Sequence, residues 1–364
     1  MRDARTVVDA LLRRKPALRM GMFESFWPET LPGWVAQGYP AGADGKPLAD
    51  WETLGFDMVG AGGWFDEMPI RGPENVVQET DEWIVKRNGA GAARKWWKKK
   101  SGTPEHIDFL MTSRAVWDRD YRPHLLAADR DRIDIAGSKK NLARCREAGV
   151  WPYYGHLFIW EGMRQSMGDT CLYESLLLDP EWIHDYSRVY TDFYKAHYRL
   201  LFAEAGLPDG VWMYEDLGYC NGLFCSPRTL DQLIFPYYRE MVEFFHGYDL
   251  PVVLHSCGQV VEALPLIVQT GFDGLNPMEV KAGNDLFKFA EQYGDKLAFV
   301  GGMDVRILES NDLDLIGREV VRLTKGMKER DARWVFGSDH SISPNVTYAA
   351  YQHAVKVFRE HCEY

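Results

Sequence analysis

The chain has 364 residues, 46% hydrophobic and 26% charged, which is ordinary globular composition with enough material for one large domain or two modest ones. Its 53 acidic residues outnumber its 42 basic ones for a formal net charge of −11, so no global positive field exists to hold a polyanion, and nucleic acid is excluded as the main partner. The six cysteines, Cys145, Cys171, Cys220, Cys225, Cys257 and Cys362, form no CxxC pair and are too dilute for a disulfide scaffold, which predicts a cytoplasmic protein with free thiols. An aromatic content of 13% exceeds what a core alone needs and points to an aromatic-lined cleft.

In chain order, residues 1–20 place Arg2, Arg5, Arg13, Arg14 and Lys15 around Val7, Val8, Leu11 and Leu12, the pattern of a short amphipathic helix rather than a signal peptide. No stretch approaches the roughly 18 to 20 apolar residues of a membrane span, so no membrane partner is expected. Met22 to Glu29 is aromatic-rich and irregular; one reading makes Glu24 and Trp27 part of a pocket wall, the other makes them packing at a barrel base. Short apolar runs ending in polar or glycine-containing stretches predict buried strands at 56–60, 150–155, 210–215, 250–255, 274–276, 297–301 and 333–337. Between 79 and 108, Asn88-Gly89 and the run Ala92 to Trp97 predict an inserted β-hairpin. Its basic run Arg94 to Lys100 reads as a solvated end rather than an anion site.

Helical period is clearest over Glu181 to Ala205, with Asp179 as N-cap, Pro180 in the first turn and Gly206 at the end. A second helix starts at Ser226-Pro227 and bends near Pro236, and a third runs over 346–359. Strands alternating with helices and no GxGxxG after an early strand favour a (β/α)8 TIM barrel over an open nucleotide-binding sheet. The whole chain is then a single domain, with residues 1–50 as an N-terminal extension lining the barrel.

Barrel chemistry sits at the C-terminal ends of strands. His255 and Cys257 lie where an apolar strand gives way to a loop, and residues i and i+2 of an extended chain face the same side, so imidazole and thiolate can converge on one metal ion. The bland alternative is a hydrogen-bonded imidazole beside a small buried thiol. Other strand ends offer Glu215 and Asp216, either ligands or a capping pair, and Asp339 and His340. Glu279 and Asp304 would orient a substrate or a ligating histidine, or cap helices. Such mixed donors favour zinc over magnesium or calcium.

The series Glu215-Asp-Leu-Gly218, Ser226-Pro227, Phe235-Pro236, His255-Ser-Cys-Gly258, Gly271-Phe-Asp-Gly274, Gly301-Gly-Met-Asp304 and Asp339-His-Ser-Ile-Ser-Pro344 resembles the uroporphyrinogen decarboxylase superfamily. The resemblance runs from about residue 20 to the end and implies one (β/α)8 barrel. Met20 to Phe26 lacks the arginine-rich RQAGRY-type motif of the haem-pathway decarboxylases. His255-x-Cys257 matches the first part of the zinc motif of the cobalamin-linked methyltransferases and O-demethylase components. Where their distant cysteine stands, this chain has His340-Ser-Ile-Ser-Pro344.

The resemblance therefore implies a zinc-dependent methyltransferase with His255, Cys257 and His340 as ligands and Glu215, or alternatively Asp339, completing the set. Glu215, Asp304 and His340 would be catalytic, and Glu24, Trp27, Trp64 and Glu279 would bind a small-molecule substrate. The cobalamin would come on a separate small corrinoid-binding protein, because the chain has no DxHxxG sequence. Trp27, Trp64 and Trp160 would frame the mouth, and a homodimer is allowed. The alternative is a metal-independent decarboxylase of a carboxylated, tetrapyrrole-like substrate. There His340 and Asp304 would move protons, and Arg71, Arg164 or Arg228 would bind carboxylates.

Overall fold

A computed structural model describes residues 4–99 and 102–364. Eight parallel strands form one sheet, β1 (Gly21–Met22), β2 (Met58–Gly62), β3 (Trp151–Leu157), β4 (Gly210–Tyr214), β5 (Val252–His255), β6 (Gly274–Asn276), β7 (Ala298–Val300) and β8 (Trp334–Phe336). From β2 to β8 each strand pairs with the next in sequence, and β8 pairs back onto β1. The remaining seam lies between β1 and β2. There the Asp57 N–H donates to Met22 O and the Asp57 carboxylate accepts from the Met22 N–H, both at 2.8 Å. The sheet thereby curls into a (β/α)8 barrel, as expected for strands feeding crossover helices.

Alternation along the strands sorts the side chains. Met58, Trp151, Tyr153, Trp212, Val253, Ala298, Val300 and Val335 form one buried cluster with Val7, Val8, Leu11 and Leu12. The last four belong to the helix Ala4–Leu12, whose apolar stripe at i, i+3, i+4 seals one end of the barrel. The opposite faces of the strands pack beneath the surrounding helices in a second, larger cluster. Residues 1–50 thus do more than line the barrel, since β1 is one of its staves. A two-residue strand carries too little periodicity to be read from sequence.

The predicted helices at 181–205 and 346–359 are Pro180–Ala205 and Tyr348–His361, and the bend near Pro236 is a break at Ile234 between Pro227–Leu233 and Phe235–His246. The expected hairpin is larger than predicted. Asn75–Glu79, Trp83–Arg87, Ala92–Trp97 and Glu105–Phe109 make a four-stranded antiparallel meander. Its outer strands are exposed on both faces and lack the apolar alternation that marks a half-buried strand. In the basic run, Arg94 pairs with Glu74, Lys98 pairs with Glu79 and Lys95 lies over Trp97; Lys100 lies outside the described residues.

Candidate metal centre

Val253 and His255 share the inward side of β5, and Cys257 follows two residues beyond. Cys257 Sγ lies 3.4 Å from His255 Nε2, and that nitrogen lies 3.7 Å from Asp216 Oδ1. Asp216 comes from the end of β4 and accepts the Cys257 backbone N–H at 2.8 Å. Among the described residues, these three side chains are the group of His, Cys, Asp and Glu whose ligand atoms all fall within 4.8 Å of one another, and each is half-buried.

The loop that presents Cys257 is held by its own backbone. Gly258 takes φ +74°, and a Cβ there would lie 2.2 Å from the Gly218 carbonyl carbon, so only glycine lets the two loops touch. The Gly258 N–H donates to Glu279 Oε2 at 2.7 Å, and the Asn284 amide donates to Gly258 O at 2.8 Å. Behind the imidazole, His255 Nδ1 is 2.5 Å from Asn276 Oδ1, and the Asn276 amide nitrogen donates to Val300 O at 2.9 Å. The Tyr214 ring flanks His255 at 5.1 Å between centroids.

Electrostatics around the thiol favour a cation. Burial pushes the Cys257 thiol well above its usual range, and the carboxylates of Asp216, Glu279 and Glu161 push the same way against the opposing charge of Lys281. Glu161 is itself raised, first by burial and then by Asp216. Crowded acids beside a thiol repel one another unless positive charge is supplied. One sulfur, one imidazole nitrogen and one carboxylate oxygen fit zinc, which takes N, S and O donors, better than the all-oxygen shells of magnesium or calcium.

The structure separates the adjacent pair Glu215 and Asp216. Glu215 is fully buried and turns away from the cluster to cap the helix Ile159–Leu178. It accepts the N–H groups of Phe158 at 2.9 Å, Trp160 at 2.8 Å and Glu161 at 3.2 Å, together with the Tyr238 hydroxyl. Burial raises its pKa to about 8. His340 also lies outside the cluster; its ring stacks on Trp27 at 5.8 Å. The acid beside it, Asp339, accepts the N–H groups of Val280 and Val305 and ties two loops together. Asp304 caps the helix Val305–Glu309 and pairs with Arg306 at 2.7 Å.

Glu24 is buried and accepts from Ser25 N, Ser338 N, Ser338 Oγ and Tyr351 Oη, with burial raising its pKa to about 7. Glu279 holds Gly258 and pairs with Lys281 at 2.9 Å. Trp64 is 53% exposed and lies 5.0 Å from the Tyr214 ring. Gly155 on β3 makes that approach possible, because a Cβ there would stand 3.2 Å from Tyr214 and 3.4 Å from Trp64. Trp160, expected at the mouth, is instead fully buried and donates to Asp216 O at 2.8 Å. Of the arginines considered for carboxylate binding, Arg71 is paired with Asp66 and Asp129, Arg164 is paired with Glu161 and Asp169, and Arg228 is exposed.

Sequence reasoning missed Asn276, Tyr214 and Glu161. The signal for Tyr214 was its i+2 spacing from Trp212 on an inward face. Asn276 and Glu161 carried no local signal, since their roles depend on neighbouring strands.

One family model and one solved structure agree with this architecture. The sequence model described as uroporphyrinogen decarboxylase (URO-D) matches residues 163–361, more than half of the chain. Among solved structures, a methyltransferase from Methanosarcina mazei superposes with a TM-score of 0.70 at 16% identity over 98% of both chains. A protein described as a vitamin-B12-independent methionine synthase from Listeria monocytogenes reaches a TM-score of 0.38 at 14% identity, over 61% of this chain and 68% of its own. A sequence search among curated proteins finds no match.

Proposed function

The chain belongs to the uroporphyrinogen decarboxylase family, and on that premise we propose that it is a zinc-dependent methyltransferase of the O-demethylase-component type, moving a methyl group between a small methylated substrate and a separate corrinoid protein. The observation that carries this reading is the convergence of Asp216, His255 and Cys257 at the mouth of the barrel. The fold shared with the Methanosarcina mazei methyltransferase is consistent with it.

In this reading Cys257, His255 and Asp216 hold the zinc. When bound, the ion supplies Lewis acidity that stabilises negative charge on a departing oxygen, the main obstacle in cleaving an ether. The chain's own residues prepare the site. Cys257, whose proton is retained by burial and nearby acids, gives it up on metal binding. Asp216 contributes its carboxylate while its backbone carbonyl stays engaged by Trp160. Glu279 and Gly258 set the position of the thiol-bearing loop. Trp64 and Tyr214 provide an aromatic wall leading to His255, against which a methylated substrate is oriented and water excluded. Trp27 and His340 stand as a second aromatic element of the mouth. Glu24, Asp304 and Glu215 support these loops rather than touching substrate.

Metal-independent decarboxylation is less well supported, because Arg71 and Arg164 already have carboxylate partners within the chain. The test is metal analysis of protein purified without chelator, with methyl transfer measured against a corrinoid protein. About one zinc per chain is expected for a single site, lost together with activity in Cys257→Ala. Full activity in metal-free protein would refute the assignment.

A further inference from the structure

We propose that Asn276 is a positioning residue that holds His255 in its Nδ1–H tautomer and so commits the Nε2 lone pair to the metal centre; the proposal rests on the reading of that centre given above. Asn276 ends β6, and its position joins three neighbouring strand ends. Its backbone carbonyl accepts the Ser256 N–H at 2.8 Å, its amide nitrogen donates to Val300 O on β7 at 2.9 Å, and its Oδ1 lies 2.5 Å from His255 Nδ1 on β5.

The directions of these bonds are fixed by chemistry. Val300 O can only accept, so the Asn276 NH2 faces it and Oδ1 faces the imidazole. Reversing the amide would set two acceptors against each other on one side. The atom facing Oδ1 must therefore donate, which in the neutral imidazole places the single ring proton on Nδ1 and leaves Nε2 unprotonated toward Cys257 Sγ and Asp216 Oδ1. A neutral imidazole free in water favours the opposite, Nε2–H form, which cannot ligate through Nε2. The Tyr214 ring, tilted against the imidazole at 5.1 Å between centroids, flanks it on one side. An outer-shell acceptor of this kind typically changes metal affinity by about 10- to 100-fold.

An aspartate in this place would accept from Nδ1–H equally well, but its second oxygen would face Val300 O with no proton between them. The two functions of Asn276, selecting a tautomer and bridging to β7, are thus separable by substitution. The experiment records the 15N spectrum of the histidine ring nitrogens in metal-free protein, with His255 assigned by its loss in His255→Gln. Cobalt(II) is then titrated into each variant and followed by thiolate-to-cobalt absorption.

Wild-type His255 is expected as the Nδ1–H form. Asn276→Leu should shift it toward Nε2–H and weaken cobalt binding about 10- to 100-fold. Asn276→Asp should keep the tautomer and most of the cobalt affinity while lowering the melting temperature. An Nε2–H proton on wild-type His255 overturns the proposal, and that spectrum is readable whether or not the leucine variant folds. Equal loss of cobalt affinity in the aspartate and leucine variants also overturns it, because a purely structural residue would behave so. Failure of wild-type protein to bind cobalt, with His255 found as Nδ1–H, would instead refute the metal-centre reading and leave the tautomer assignment standing.

Discussion

Glu215→Gln distinguishes a buried capping carboxylate from a ligand or catalytic acid. Glu215 is fully enclosed and its pKa is raised from 4.5 to about 8 by burial. Between those two values the folded protein keeps a proton on Glu215 that the unfolded chain releases, so the contribution of this group to stability is fully present at or below about pH 4.5 and is lost as pH rises through about 8. At about 1.4 kcal/mol per pH unit, this interval amounts to at most about 5 kcal/mol. Glutamine cannot ionise and removes that slope, but its NH2 group faces two donors that the carboxylate oxygen had satisfied, which costs about 2 kcal/mol. The two proteins should lie within about 2 kcal/mol of each other near pH 5, with the variant gaining relative to wild type at each higher pH. Urea midpoints at pH 5, 6, 7 and 8 measure this. Glu24, raised to about 7, is common to both and contributes the same slope to each. Parallel curves would mean that the four donors keep Glu215 ionised at its ordinary pKa, and the reasoning would fail. The variant should also retain its metal; loss of metal from a folded Glu215→Gln protein would return this residue to the ligand set.

Gly258→Ala forces a side chain into a left-handed backbone position and against the Gly218 carbonyl. It should destabilise by about 2 to 4 kcal/mol and weaken metal binding through displacement of Cys257; unchanged stability in urea titration would contradict the close approach of the two loops. His340→Ala should leave zinc content unchanged while altering the fluorescence of Trp27, on which the ring stacks. Zinc lost from that variant would restore His340 as a ligand.

Much of the architecture was legible because burial on both faces leaves a compositional trace. The predicted runs at 150–155, 250–255 and 333–337 each contain an observed barrel strand or most of one, and the long helix Pro180–Ala205 announced itself by period and by its cap and stop residues. The misses share a cause. Strand β1 has two residues, and the outer strands of the insertion are exposed on both faces, so neither presents an alternation to detect. Trp160 was expected to frame the mouth on the strength of the family resemblance, yet its indole is buried and donates to Asp216 O.

At the candidate site, the sequence alone determined that His255 and Cys257 face the same way, since i and i+2 on an extended chain must. The resemblance put Glu215 rather than Asp216 in the ligand set, and the sequence offered no means to separate the two, because adjacent residues leave a strand end in different directions, and which direction meets a helix N-terminus depends on where the next crossover helix begins. Only the closed barrel places the helix Ile159–Leu178 over Glu215, leaving Asp216 beside the thiol. It likewise brings Asn276 to the back of His255, because a contact across parallel strands depends on their register, which the sheet sets as a whole.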